Sequence, residues 1–123
     1  MFRSIVPAPS SGATVAELGQ ATARGLSKAC LSDKPQMVAV LHAPDSLDAG
    51  TGIYAVSVTV GLLPPSDGPL QWPQDSYAIT SALAGLDAAG RKKLALETTE
   101  AAARALCRTI ATQRAQPSPA RTP

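Results

Sequence analysis

Aromatic side chains are nearly absent: one Trp, two Tyr and one Phe make up 3% of the 123 residues. Large aliphatic residues are also few. Leu, Ile, Val and Phe together number 25, about a fifth of the chain, whereas alanine alone contributes 23. Small side chains therefore supply much of the 45% apolar content, and the core they build is thin. No apolar run approaches the ~18 residues of a membrane-spanning helix. The N-terminus carries one basic residue, Arg3, and is broken by Pro7 and Pro9, so no signal-peptide hydrophobic region forms. A cytoplasmic protein is expected. Its two cysteines, Cys30 and Cys107, are too few for a disulfide framework and read as small hydrophobes in a reducing compartment. The length suits one domain, residues 1–115, followed by a Pro-rich tail at 116–123 that is expected to be disordered.

Thr14 with Glu17 three residues on gives a capping box at the start of a first helix. Val15, Leu18, Thr22, Leu26, Ala29 and Cys30 form its apolar stripe, and Ser32-Asp33-Lys34-Pro35 stops it. Gly19 and Gly25 weaken this helix, and either permits a close approach to a neighbouring sheet. A short strand follows at 36–43. The clearest strand is Ile53–Leu63, where Tyr54, Val56, Val58, Val60 and Leu62 alternate with Ala55, Ser57, Thr59 and Gly61. That alternation gives one apolar face and one face of small residues. The segment 44–52 is too long for a tight turn, so the two strands form an antiparallel pair joined by a mobile loop. Four prolines then fall within 64–73, around Trp72. Tyr77, Ile79, Ser81 and Leu83 alternate as a third strand, with a short helix as the alternative. Asp87 caps a last helix from Ala88 to about Gln113, with a core stripe of Leu94, Ala101, Ala102, Ala105, Leu106 and Ile110. The expected fold is α+β: a two-layer sandwich in the order α-β-β-(β)-α, with two helices over a small antiparallel sheet and room for an N-terminal strand.

Charge is sorted along the chain. Residues 35–90 hold five Asp and no Lys or Arg, and residues 91–123 hold seven bases and two acids. The loop acids serve turns and solubility. Complementarity with another subunit or partner is the sharper alternative.

Candidate chemistry is sparse. His42 is the only histidine and alternates with Val38 and Val40 along a strand, a setting that is usually structural. It and Cys30 are the candidates for catalysis. Asp45, Asp48 and Asp67 match no calcium-loop spacing, so no metal is expected. No cofactor is expected either, because Gly50-Thr51-Gly52 precedes a strand and not a helix. Arg91-Lys92-Lys93 opens the last helix. With the α-β-β-β-α order, this basic cluster resembles the double-stranded-RNA-binding domain, which implies RNA binding through Arg91, Lys92 and Lys93. The acidic middle, the Pro-rich insertion after Leu63 and Thr99-Glu100 depart from that pattern, and nucleic acid is not the expected partner.

The first functional reading is a non-catalytic accessory or assembly protein that associates with itself or with a protein partner. Ser57, Thr59, Trp72, Arg91, Lys92 and Lys93 are its interface candidates. The alternative is a small-molecule-binding domain or small enzyme with a pocket near His42 and Tyr54. RNA binding is the second alternative.

Overall fold

The computed structural model describes residues 2–6, 9–26, 38–63 and 75–115. Along the chain these are β1 (Phe2–Val6), a 3₁₀ turn (Pro9–Ser11), α1 (Val15–Gly25), β2 (Val38–His42), β3 (Asp45–Leu47), β4 (Ile53–Leu63), β5 (Asp75–Ala84) and α2 (Ala88–Ala115). Two helices cover one face of a small, mainly antiparallel sheet, which is the expected α+β sandwich.

β4 organises the sheet. On one side it pairs with β2 and then β3, and the register runs without a shift from Val38↔Leu63 to Leu47↔Tyr54. Pro44 has no N–H and interrupts the strand, but its carbonyl still accepts from Ser57 N–H at 3.0 Å, so the ladder is bridged. The expected mobile loop at 44–52 is therefore mostly ladder, and the turn itself is Asp48–Gly52. Asp48 closes that turn by accepting from Gly50 N–H at 2.8 Å, and Gly52 takes φ +73, a region open to glycine. These turn hydrogen bonds hold the Asp48 carboxyl below its usual range, with the Gly50 N–H as the largest cause.

On its other side β4 pairs with β5 through ten residue pairs, from Ile53↔Ala84 to Leu62↔Asp75. The weak alternation at Tyr77–Leu83 is thus a strand. β1 is the N-terminal strand, and it pairs parallel with β2. A parallel pair needs a crossover, which α1 supplies between the two.

The buried face of β4 is Tyr54, Val56, Val58, Val60 and Leu62, each at most 1% exposed. Ser57 on the other face is exposed and Thr59 half-buried, as the alternation implied. Above the sheet, α2 buries Ala95, Thr98, Thr99, Ala102, Ala103, Ala105, Leu106 and Ile110. Of the expected stripe, Ala102, Ala105, Leu106 and Ile110 are buried, whereas Leu94 and Ala101 are only half-buried and Ala95, Thr98, Thr99 and Ala103 also lie inside. The threonines are admitted because their hydroxyls find partners, Thr99 on the Ala95 carbonyl at 2.7 Å and Thr98 on Ser81 of β5 at 2.9 Å.

α1 starts at the capping box, where Glu17 N–H donates to Thr14 Oγ1 at 3.1 Å and Thr14 N–H donates to Glu17 Oε1 at 3.0 Å. Leu18, Thr22 and Leu26 are buried as expected, but Val15 is 49% exposed. The close approach at Gly25 is to α2 and not to the sheet. Ala29, Cys30 and the stop at 32–35 lie outside the described residues, as do the Pro-rich segment with Trp72 and the tail.

Val58 has no exposed surface. Val58→Ala is expected to lower stability by about 1–3 kcal/mol, since the lost methyl groups leave a cavity. Denaturant unfolding measures this, and a change below the error would show that the sheet's apolar face is not the core.

Candidate functional site

The densest polar constellation sits where the first strands, the 3₁₀ turn and the start of α2 meet. Tyr54 lies on the buried face of β4 and has no exposed surface, so its hydroxyl needs a partner. β3 supplies it: Tyr54 Oη donates to Asp45 Oδ2 at 2.7 Å. Asp45 Oδ1 accepts from Ser10 N–H at 3.2 Å. Arg91 on α2 donates through Nε to the Ser10 carbonyl and through Nη1 to the Leu86 carbonyl, each at 3.2 Å. Burial, then the hydrogen bond to Asp45 and its charge, push the Tyr54 phenol far above its ordinary value of 10.0.

This cluster is a clasp. It ties the 3₁₀ turn to β3, β4 and α2. The Ser11 side chain also hydrogen-bonds the Tyr54 hydroxyl, and among the described residues no buried side-chain N or O lacks a partner. A stability prediction follows from the phenol. Because the folded state keeps the Tyr54 proton, its contribution is complete below the unfolded value of about 10 and is lost as pH rises beyond it. Wild-type stability is expected to fall above about pH 10, and Tyr54→Phe to lose about 1 kcal/mol at neutral pH while flattening the alkaline decline. Melting curves from pH 7 to the alkaline limit read both, and an equally steep decline in Tyr54→Phe would refute the assignment.

The remaining sequence-chosen residues do not converge. His42 pairs with Thr59 in the ladder and shares the sheet's outer face, whereas Tyr54 points into the core. Asp48 belongs to the hairpin turn, Asp67 lies outside the described residues, and among the described residues no three His, Cys, Asp or Glu side chains are placed to hold a metal ion. Cys107 is disulfide-bonded, which corrects the reading of two reduced thiols at that position. The chain's other cysteine, Cys30, is not among the described residues.

The basic cluster is largely engaged inside the chain. Arg91 belongs to the clasp. Lys92 Nζ lies 2.6 Å from Glu17 Oε2 and joins the two helices, and this pair is the largest cause holding the Glu17 carboxyl below its usual range. Lys93 is 3.8 Å from Glu97 one turn later. A shallow cleft of about 320 Å³ runs over this surface between Arg24, Lys92, Lys93, Leu96, Glu97 and Glu100. Ion pairs span it, Arg24 to Glu100 at 3.3 Å among them.

What remains is the sheet surface away from the helices. On β4 and β5 it consists of Ile53, Ala55, Ser57 and Thr59 beside Ser76, Ala78, Thr80, Ala82 and Ala84, while Gly61, of the same parity, is buried. None carries a charge, and Ser57 and Thr80 share a hydroxyl hydrogen bond of 2.9 Å across the strands. Of the sequence-chosen interface residues, Ser57 and Thr59 are together here, Arg91, Lys92 and Lys93 are on the opposite layer, and Trp72 is outside the described residues. The sequence reading missed the edge of β5 and its exposed Tyr77 and Leu83, 39% and 52% accessible. The uncharged run Ser76–Ala84, with no guarding lysine, was the available signal.

The fold and this surface describe a small α+β sandwich with one sheet face covered by helices and the other largely exposed among the described residues. Comparison with protein-family models, with curated proteins and with solved structures finds no match for the chain.

Proposed function

We propose that the chain is a non-catalytic accessory or assembly protein that acts through protein–protein association, first with a second copy of itself. The observation that carries this is the uncharged side of the β4–β5 ladder, exposed at Ile53, Ser57, Ala78, Thr80, Ala82 and Ala84 and, among the described residues, unpaired along its β5 edge. Thin burial supports it. The described core relies on Ala13, Ala21, Ala43, Ala95, Ala102, Ala103 and Ala105 beside its larger members, and association supplies apolar contact that such a core lacks.

The ligand-binding or enzymatic alternative required His42 and Tyr54 to share a pocket, and the sheet lies between them. The RNA alternative used Arg91, Lys92 and Lys93, two of which hold the helices and the clasp together. Among the described residues no helix is long and apolar enough to cross a membrane. Against the expectation of a cytoplasmic protein, the bonded Cys107 favours an oxidising compartment. Thiol titration of acid-quenched, freshly isolated protein decides between them.

Sedimentation and light scattering at micromolar concentration test the proposal. A dimer or larger species that persists in raised salt is expected, because the surface is uncharged. A chain that stays monomeric at high micromolar concentration overturns it, as does a salt-sensitive gel shift with duplex RNA as the chain's principal binding activity.

A further inference from the structure

We propose that two copies of the chain join edge to edge along β5, antiparallel about a two-fold axis through Thr80, so that their sheets become one and their α2 helices lie side by side. The inference rests on the self-association reading and assigns it to one surface.

The first argument is the edge itself. β5 pairs with β4 over ten residues without a register shift, and among the described residues no strand meets its other edge. From Ser76 to Ala84 it contains no charge, no proline and no bulge. Those are the devices that keep an edge strand from pairing with another chain.

The second argument is the spacing of the helices. α2 packs against both β4 and β5, and so lies over the seam between them. Strands in a sheet are about 4.8 Å apart. A β5–β5 junction therefore places the two α2 axes about 10 Å apart, the distance at which helices pack. The Thr98–Ser81 hydrogen bond orients α2 over β5. On that flank Leu94 and Ala101 are half-buried, apolar and small enough for a neighbouring helix to approach.

Side-chain pairing gives the register. Helices on the same side of a joined sheet require odd-numbered β5 residues to face odd-numbered ones. About Thr80, Tyr77 then faces Leu83 of the second copy and Leu83 faces its Tyr77, which covers two of the large hydrophobic residues the single chain leaves exposed. Ile79, already packed against the core cluster, faces Ser81.

Charge agrees with this register. Thr80 is one residue from Ser81, about 3.4 Å along the strand, or about two residues along α2 from Thr98. The axis thus crosses α2 near Glu100. Glu97, whose side chain is 60% exposed, comes level with Arg104 of the second copy, whose side chain is 56% exposed in the single chain, and symmetry repeats the pair.

Four variants of the full chain test the proposal, read by sedimentation and by non-reducing mass analysis after mild oxidation. Leu83→Lys is expected to weaken the dimer by about tenfold or more, while Thr59→Lys on the outer face leaves it unchanged. Thr80→Cys is expected to give a covalent dimer, because directly opposed Cα atoms on the axis lie about 4.5–5.5 Å apart, within disulfide reach. Ser57→Cys, its hydrogen-bonded neighbour on β4, gives none. A dimer lost in Thr59→Lys and kept in Leu83→Lys overturns the edge and puts the contact on the sheet face. So does cross-linking through Ser57→Cys and not through Thr80→Cys. Should Leu83→Lys fail to fold, the two cysteine variants still decide. A monomeric wild type overturns the self-association reading itself, a result distinct from dissociation of Leu83→Lys alone.

Discussion

Leu106→Ala is expected to lower the unfolding free energy by about 2–5 kcal/mol. Leu106 is 1% exposed and belongs to the cluster that joins α2 to Leu18 and Leu26 near α1 and to Val56, Val58 and Val60 on β4. Towards the N-terminus its neighbours on α2 are Ala102, Ala103 and Thr99, short side chains that cannot swing in to fill the space, and only Ile110 on the following turn is large. The cavity term therefore adds to the lost transfer energy with little relaxation on that side. The native fraction of so thin a core is small-margined, so the variant is expected to be partly unfolded at physiological temperature. Urea or guanidinium unfolding with an unchanged m-value is the measurement. A loss below about 1 kcal/mol would mean that α2 does not seal the core at this position.

Gly25→Val is expected to cost about 3 kcal/mol, the upper end for an overfilled core. Helix propensity alone predicts the opposite sign, since any ordinary residue is better than glycine in a helix. A Cβ on Gly25 would stand 2.5 Å from Ala103 Cβ, 2.5 Å from the Glu100 carbonyl oxygen and 2.9 Å from the Arg104 nitrogen. Two of those three atoms are backbone, so α1 and α2 must separate to admit it. Separation would also loosen the ion pairs between the helices, Arg24 to Glu100 and Lys92 to Glu17. Gly25→Ala serves as the graded control, with a smaller loss of the same sign. A Gly25→Ala chain more stable than the wild type would show that the helices are not held at this distance.

Locally encoded features were legible before any fold was known. The Thr14–Glu17 capping box, the Asp87 cap that accepts from Gly90 N–H at 2.7 Å, and the span and two faces of β4 each follow from a few adjacent residues. Period-two alternation needs no partner to be read, and side-chain oxygens that cap a helix reach only three residues along the chain.

The candidate site was legible only in part. The outer face of β4 could be read from Ser57 and Thr59. The clasp could not, because it joins Ser10, Asp45, Tyr54 and Arg91 across most of the chain. Arg91 illustrates the difficulty. In the sequence it is one of three consecutive bases, and in the structure its guanidinium is held by two backbone carbonyls and is no longer on offer to a phosphate.

What the sequence by itself determined is the two helices and the strands β2 and β4, the capped start of each helix and which face of the central strand is apolar. Only the tertiary structure decided that β3 continues β2 past Pro44, that β1 joins in parallel through α1, and that Gly25 serves a helix contact. It also decided that β5 is the open edge. The reason is physical: caps and alternation are set by neighbours in the chain, whereas register, close approach and an unpaired edge depend on which distant backbone arrives beside them.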